Sequence, residues 1–470
     1  MKALFVTRYS GDEYNGIMSI SAVLKSRGHQ SQAVEADLAK IKAALNPAIP
    51  TVLAYSTPTN LSEYYLNLNS ELKKGYRVFS VFGGPHPTAV PGIIERDGVD
   101  GVCIGEGELA MAELLDNLDA GRPIRHINNW WIKEEGAIYR NGLRPLIDDL
   151  DSLPLPDREL FRDKSLFDRE KMHVVTGRGC PYSCSYCCHS FYNRLYNDQA
   201  VKIRKRSVRG VIEEIVRFKK EFPLKFVVFD DDIFILPYNW LEEFCAEYKK
   251  HVDLPFFCYL RADLVDERTV QNLKSAGCFS VSMGIETAEE NLRNRIFKRN
   301  MSREQIVSAA KLIKAYKIKL KASNIIAAPG SPLDVDLGTL ELNILCKTDY
   351  SSVELLTPYP ETEICSWFDA DVDKKHPESC QKNKYAKRQA QNLRNLFAII
   401  VEFPALFNLV RVLIKLPCAK FYEFCFFIWE GYCAYFRLYP AGWLSFGRGI
   451  KKYACRAKES FLKKELFTRI

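Results

Sequence analysis

The chain has no uninterrupted apolar run long enough to span a bilayer, no internal repeat of fixed period and no low-complexity tract. A spanning helix needs about 20 largely apolar residues in succession. The most apolar stretch, Leu396–Tyr439, is broken by Glu402, Pro404, Arg411, Lys415, Pro417 and Lys420. The opening MKALFVTRYSGDE has an apolar run too short for a signal-peptide core, and acids follow it at once; the expected location is the cytoplasm. A large excess of one charge sign is also lacking. The 66 basic and 58 acidic residues leave a net +8. No specific nucleic-acid partner is expected from so small an excess, because phosphate recognition clusters basic residues on one face.

What the chain does have is length, order-promoting composition and cysteine. Its 470 residues exceed one ordinary core and predict two or three domains. With 47% apolar and 26% charged residues it reads as globular. Its 15 cysteines, in a reducing compartment, point to metal binding or burial in preference to disulfides.

Strand and helix signals alternate over residues 1–130. Strands are predicted at Ala3–Val6, Thr51–Tyr55, Arg77–Phe82 and Gly101–Ile104, and helices at Ile17–Arg27, Leu61–Lys74 and Glu108–Leu118. Such βα units predict a doubly wound, Rossmann-like parallel sheet. Residues 131–165 read as a hairpin, with Trp130, Trp131, Ile138 and Tyr139 around Lys133–Gly136, followed by the extended linker Leu153–Asp157. A second βα series fills residues 166–365. Its strands are His173–Thr176, Phe226–Phe229, Phe256–Leu260, Ser280–Ile285, Leu320–Ile326 and Val353–Leu356. Six such units predict a partial or full TIM-type barrel, with its chemistry at the C-terminal strand ends. Residues 366–470 lose the pattern and are expected to be mainly helical, ending in the basic, amphipathic Lys451–Ile470.

The chemistry-bearing stretch is Gly177-Arg-Gly-Cys180-Pro-Tyr-Ser-Cys184-Ser-Tyr-Cys187-Cys188-His189. The spacing C-x3-C-x2-C puts three thiols on one loop directly after a predicted strand, and Gly177 and Gly179 let that loop double back. Three readings are open: an iron–sulfur cluster, a zinc knuckle completed by Cys188 or His189, and simple burial. Cys188 is expected to point away from Cys187 as a bystander. The other eleven cysteines show no comparable spacing and are expected in the core.

The loop, with Tyr186 just before its third cysteine, resembles the signature of the radical S-adenosylmethionine (SAM) superfamily. The resemblance implies a [4Fe–4S] cluster on Cys180, Cys184 and Cys187, with one iron left for SAM. Reductive cleavage of SAM then yields a 5′-deoxyadenosyl radical. It further implies a radical SAM partial (β/α)6 barrel and an electron donor such as flavodoxin or ferredoxin. Asp230-Asp231-Asp232 stands where relatives carry polar residues near the SAM amine, with Asp231 chosen here; helix capping is the alternative. Arg261-Ala-Asp263 resembles an Arg-x-Asp step, in which Arg261 binds the SAM carboxylate or forms a structural ion pair. Gly284-Ile-Glu286-Thr resembles a Gly-Ile-Glu-Ser segment, which gives Glu286 a SAM contact. Pro358-Tyr-Pro360-Glu361-Thr362 resembles a Pro-x-Pro-Gly-Thr segment, with Glu361 in place of the glycine.

Val81-Phe-Gly83-Gly84-Pro85-His86 and Gly105-Glu106-Gly107-Glu108 both follow predicted strands. They resemble the cobalamin-binding domain that precedes the barrel in one radical SAM subfamily, and make Gly83, Gly84 and Gly105 its candidate contacts. That family's cobalt-ligating Asp-x-His-x-x-Gly motif is missing, since none of the seven histidines has Asp two residues before it. The domain therefore either binds cobalamin without a protein ligand or keeps only the shape. His86 is expected to be part of a rigid turn. The expected activity is methyl transfer to an unactivated carbon of a small, possibly apolar substrate. The alternatives are a cobalamin-associated oxidation, cyclisation or rearrangement, and a binding or regulatory protein. The C-terminal aromatics Phe421, Tyr422, Phe424, Phe426, Phe427, Trp429, Tyr432, Tyr435 and Phe436 are expected in the core, or else as a lid. With the basic tail they raise peripheral contact with an anionic membrane.

Overall fold

The computed structural model describes residues 1–8, 14–161, 169–197, 202–367 and 387–440. The first part of the chain runs β1 (Lys2–Thr7), α1 (Asn15–Ser26), β2 (Gln30–Glu35), α2 (Leu38–Ala44), β3 (Thr51–Ser56), α3 (Ser62–Lys73), β4 (Phe79–Gly83), α4 (Pro85–Ala89), β5 (Gly101–Cys103), α5 (Glu108–Asp119), β6 (Trp130–Glu134) and β7 (Ala137–Arg140). These strands form one sheet in the order β2-β1-β3-β4-β5-β6-β7. Pairing is parallel as far as β5 and antiparallel across β6 and β7.

Alternate residues of a strand face opposite sides of the sheet. Ala3, Phe5, Val52, Ala54, Val81 and Cys103 therefore share one core with α1 and α5. Leu4, Val6, Leu53, Tyr55, Phe82 and Val102 share the other with Ile41, Tyr65, Leu66 and Leu72. Burial on both faces is why β1 is apolar throughout rather than alternating. The hairpin, expected to stand with the linker, instead extends this sheet, so the expected boundary at residue 130 falls inside a sheet. Trp130 anchors it: the ring is 1% exposed and Nε1 donates to the Ala110 carbonyl at 2.9 Å.

The linker carries Asp157, which accepts from Ser21 Oγ at 2.5 Å and pairs with Lys25 Nζ at 2.7 Å. It is thus fastened to α1. The second part follows as β8 (Lys171–Val174), β9 (Gly177–Arg178), α6 (Cys188–Leu195), β10 (Arg204–Lys205), α7 (Val208–Glu221), β11 (Phe226–Phe229), α8 (Tyr238–His251), β12 (Phe256–Leu260), α9 (Glu267–Ser275), β13 (Cys278–Glu286), α10 (Arg303–Ala315), β14 (Lys319–Ile326), α11 (Leu333–Leu345) and β15 (Tyr350–Leu355). Six of these strands form an all-parallel sheet in the order β15-β14-β13-β12-β11-β8. It is an open barrel of six strands, and β9 and β10 make a separate antiparallel pair. Val227, Phe229, Cys258, Leu260, Val281, Met283 and Leu320 pack outward against the helices.

The C-terminal region is helical: α12 (Lys387–Glu402), α13 (Val410–Leu413) and α14 (Ala419–Tyr432). Leu393, Phe397 and Ile400 of α12 pack on Ile326, Leu337 and Val353 at the barrel edge. The chain then returns to the opposite end of the barrel from the cysteines. Tyr439 meets Phe226 edge-on at 4.8 Å, and Ser280 Oγ donates to the Leu438 carbonyl at 2.7 Å. These contacts fall near the N-terminal ends of the strands and plug that end.

The expectation for the C-terminal aromatics holds only in part. Tyr422 is buried, but Phe421, Phe424, Tyr432 and Phe436 are exposed. The side chain of Tyr435 and the tail Lys451–Ile470 lie outside the described residues.

Candidate functional site

The three cysteines of interest lie where β8 and β9 deliver the chain to the C-terminal end of the barrel. Cys180 and Cys184 are buried and Cys187 is partly so. The loop is closed by Cys187 N donating to the Cys184 carbonyl at 3.0 Å. Ser185 pins it to the segment after β13, with Oγ donating to the Ile296 carbonyl at 2.5 Å. Tyr186 packs edge-on against Phe297 at 5.1 Å.

The Cys188 thiol does not turn away from Cys187 as expected. The two sulfurs share a hydrogen bond that holds Cys188 below and Cys187 above the usual thiol value. The reason is local: Cys187 is the N-cap of α6 and Cys188 its first residue, so strand-like alternation does not apply. Burial pushes the Cys180 thiol up to about 12.

Among the described residues no three His, Cys, Asp or Glu side chains converge on a point that could hold a single metal ion. A zinc knuckle needs four donors around one ion. His189, a candidate fourth ligand, is turned to Asp232, with Nε2 and Oδ2 2.7 Å apart. A cubane needs no such convergence, because each thiolate binds a different iron. The three-cysteine donor set fits a [4Fe–4S] cluster, with each thiolate on its own iron.

Each residue of the Asp230–Asp232 run has its own protein partner. Asp230 meets His173 Nδ1 at 2.9 Å. Asp231 is 4% exposed and accepts from Thr176 N at 3.0 Å, Thr176 Oγ1 at 2.7 Å and Lys205 Nζ at 2.9 Å. Both its oxygens are thus engaged in tying β8 to β11 and β10.

Arg261 and Glu286 do come together near the cysteines. Arg261 forks onto Asp263 at 3.0 and 3.2 Å and lies over the Tyr182 ring at 3.5 Å. Glu286 ends β13 with φ 62°, at a shift in pairing with β14 between Gly284 and Glu286. This conformation, uncommon for a non-glycine residue, takes Glu286 out of the strand's alternation and into the buried site. A Cβ on Gly284 would lie 2.3 Å from Glu286 Oε1, so that glycine makes room for the carboxylate. Burial raises the Glu286 carboxyl against the opposing effect of Arg299.

Arg299 carried no sequence signal. It sits in the loop after β13, 3.9 Å from Glu286 Oε1, and its buried Nε has no hydrogen-bond partner among the described residues. An unpaired buried donor beside a carboxylate suits a small zwitterion such as the methionyl end of SAM.

The first sheet also carries a cavity of about 640 Å³. It lies outside the C-terminal ends of β1, β3, β4 and β5, where doubly wound sheets bind ligands. Gly83, Gly84 and Gly105 all line it, with Leu153 and Pro154 of the linker as a further wall. Two of these glycines are also required by the backbone itself. Gly84 and Gly105 adopt φ of 96° and 82°, and a Cβ on Gly105 would lie 1.8 Å from the Tyr196 hydroxyl. His86, expected in a rigid turn, instead lies buried in the short helix α4, with Nδ1 3.3 Å from Thr59 Oγ1. Size, position and glycine lining fit a large cofactor such as cobalamin. Arg178, two residues before Cys180, lines the same cavity. Glu106 and Glu108 hold it, at 3.0 and 2.5 Å.

The B12 binding domain family matches residues 3–115, and the radical SAM superfamily matches residues 174–337. An uncharacterized methyltransferase of Pyrococcus horikoshii is 30% identical over 333 residues, 70% of this chain and 71% of the relative. An anaerobic magnesium-protoporphyrin IX monomethyl ester cyclase of Rubrivivax gelatinosus is 25% identical, over 68% of this chain and 58% of the relative. Among solved structures, the radical SAM methyltransferase TsrM of Kitasatospora setae superposes with TM-score 0.63 at 15% identity, covering 77% of this chain and 75% of that one. The apo form of OxsB, a cobalamin-dependent radical SAM enzyme, gives TM-score 0.67 at 16% identity, over 93% and 73%. At those identities the superpositions show the fold. The family models imply a [4Fe–4S] cluster, SAM and cobalamin as the cofactors of this chain. The chain belongs to the radical SAM superfamily, in the branch that carries an N-terminal B12-binding domain.

Proposed function

We propose that this protein transfers a methyl group to an unactivated carbon of a small-molecule substrate. The observation that carries the reading is the shared wall: Arg178 lines the cavity of the first sheet and lies two residues before Cys180. A methyl carrier in that cavity and a radical generator at the cysteines would then act on one substrate carbon. The methyltransferase relative at 30% identity supports the same reading.

When bound, the cluster supplies the electron that releases a 5′-deoxyadenosyl radical from SAM, and cobalamin carries the methyl group. The protein's part is positional. Cys180, Cys184 and Cys187 would hold the cluster by three irons and leave the fourth for SAM. Glu286 and Arg299 would face SAM's polar end, and Arg261, which donates to the Arg299 carbonyl, would brace them. Tyr186 packs on Phe297 beside them, and Asp231 fixes the strand ends from which the loop springs. Gly83, Gly84 and Gly105 would give the corrin a close backbone wall. An electron donor of the flavodoxin or ferredoxin class completes the system.

The test is anaerobic reconstitution with iron, sulfide and hydroxocobalamin, then incubation with SAM and a reductant. A brown protein that retains the corrin spectrum and makes 5′-deoxyadenosine is expected, and Cys180→Ala, Cys184→Ala or Cys187→Ala should abolish 5′-deoxyadenosine formation. A loaded enzyme that makes 5′-deoxyadenosine but never places a labelled methyl group from SAM on product would favour the cyclase reading, which the 25% identical cyclase relative supports.

Contact with an anionic membrane surface belongs to the same proposal. No helix among the described residues is long and apolar enough to cross a membrane. On α14 and just beyond it, Phe421, Phe424, Ile428, Tyr432 and Phe436 are each between 44% and 62% exposed. Their spacing of three or four residues makes one stripe. Lys451–Ile470 adds seven basic residues against two acidic ones. Co-sedimentation with anionic vesicles is expected, weakened by salt and by Phe421→Ser with Phe424→Ser. Equal recovery in the supernatant with and without vesicles at low salt would remove this part.

A further inference from the structure

Two buried guanidinium groups converge on one of the three sulfurs. Arg261 Nη1 lies 3.8 Å and Arg299 Nη1 3.9 Å from Cys184 Sγ, within hydrogen-bond reach for sulfur. The two residues are 4% and 7% exposed. They come from different strand ends, Arg261 directly after β12 and Arg299 in the loop after β13. Arg261 Nη2 also donates to the Arg299 carbonyl at 2.7 Å, which locks them together.

The two cations are unequally paired. Asp263 takes the fork of Arg261. Arg299 has no such carboxylate: Nη2 donates to the Gly284 carbonyl at 2.9 Å, Glu286 is only at 3.9 Å, and Nε is unpaired. A buried cation is expensive unless an anion sits beside it. Cys184 Sγ is the anion-forming atom placed to do so.

We propose that Arg261 and Arg299 set the reduction potential of the cluster by donating to the Cys184 thiolate and holding two fixed positive charges beside it. This rests on the assignment of the cluster to Cys180, Cys184 and Cys187. Hydrogen bonds to the ligating sulfurs and local net charge are among the terms that fix such potentials. One-electron reduction by the external donor adds one negative charge to the cluster, and nearby fixed cations favour the reduced state. The pair also explains why Arg261 is oriented to the cysteine loop, with its fork already occupied by Asp263.

The test uses the full chain, reconstituted anaerobically without SAM, in a redox titration followed by electron paramagnetic resonance. Arg299→Gln and Arg261→Gln should each lower the equilibrium constant for reduction tenfold or more, a fall of about 59 mV for one electron. Arg299→Lys keeps a cation but loses the fork, and should titrate between Arg299→Gln and the unsubstituted protein. It also serves if the glutamine variant cannot be loaded, and there an unchanged potential counts against Arg299. Fully loaded variants at both positions that titrate with the unsubstituted protein overturn the proposal. An unsubstituted protein that takes up no cluster instead overturns the assignment beneath it.

Discussion

Arg178 Nη1 donates to Glu106 Oε1 at 3.0 Å, which joins the approach to the cysteine loop directly to the turn after the first sheet's last parallel strand. Glu106 also accepts from Arg204 Nη1 at 2.9 Å and from the Ile147 backbone N–H at 2.9 Å. One carboxylate thus gathers the first sheet, the linker and the β9–β10 pair around the cavity wall. Glu106→Gln would leave two largely buried guanidinium groups facing a neutral amide. Breaking a buried pair by removing one partner costs about 3–5 kcal/mol. The low end is expected here, because the Arg178 side chain keeps 26% of its exposure. Urea unfolding should show that loss, and the variant should retain less hydroxocobalamin after gel filtration. Unchanged stability and unchanged retention together would refute the clamp.

That clamp also marks where the sequence stops being readable. The βα alternation and the cysteine spacing are local patterns, and the strands they predict lie within a few residues of β8, β11, β12, β13, β14 and β15. β2 was missed because Gln30-Ser-Gln-Ala-Val-Glu35 has two apolar residues and buries only those two; an edge strand needs no more. The place of the hairpin in the first sheet depends on Trp130 reaching Ala110, a contact across 20 positions. Arg299 and Glu106 are charged residues among 124, and only the fold brings them to the sulfur and the cavity. Asp231 was legible as a strand-end acid, but its engagement by Thr176 and Lys205 was not. The exposed stripe of α14 has the same hydrophobicity as a core, so burial could not be read from it.

Gly105 should tolerate substitution worse than Gly83, although both line the cavity. At φ 82° a side chain on Gly105 pays the left-handed penalty of about 1–2 kcal/mol, and its Cβ would overlap the Tyr196 hydroxyl at 1.8 Å. A Cβ on Gly83 meets only Cys103 Cβ, at an ordinary 3.5 Å. Gly105→Ala should lower the midpoint of thermal unfolding, and adding Tyr196→Phe should recover part of the loss but not the backbone share. Gly83→Ala should stay within about 0.5 kcal/mol of the parent. Equal stability of the two alanine variants would count against this account of the turn.

Glu214 gives the acid limb of the stability profile a definite sign. It is 3% exposed on α7 and accepts from Arg158 Nη2 at 2.7 Å and Arg206 Nη1 at 2.5 Å. Burial opposes its charge, but the two guanidinium groups outweigh burial and hold the carboxyl below its usual range. An unfolded glutamate titrates near pH 4.3. A folded value below that means the stabilisation is complete above about pH 4.3 and is lost as pH falls through the folded value. Glu214→Gln should therefore cost about 3 kcal/mol at pH 7 and progressively less towards pH 3. Urea unfolding at a series of pH values checks this; a penalty independent of pH would contradict it.

Glu286 is where stability and function should part. Its φ of 62° costs a non-glycine residue about 1–2 kcal/mol, and its carboxyl is buried without a close cationic fork, Arg299 being 3.9 Å away. Neither feature helps the fold; both bring Glu286 Oε1 to 3.9 Å from Arg299 Nη2. Glu286→Gly removes the strain and the buried carboxyl together. The metal-free variant should unfold no earlier than the parent, and by up to about 1 kcal/mol later. Its SAM affinity should fall tenfold or more, about 1.4 kcal/mol, measured by equilibrium binding to the reconstituted protein. Glu286→Gln keeps the strain and a hydrogen-bonding oxygen, and should lose less affinity than the glycine variant without its gain in stability. A glycine variant that binds SAM as tightly as the parent would remove Glu286 from the SAM site and leave its left-handed backbone without a functional reason.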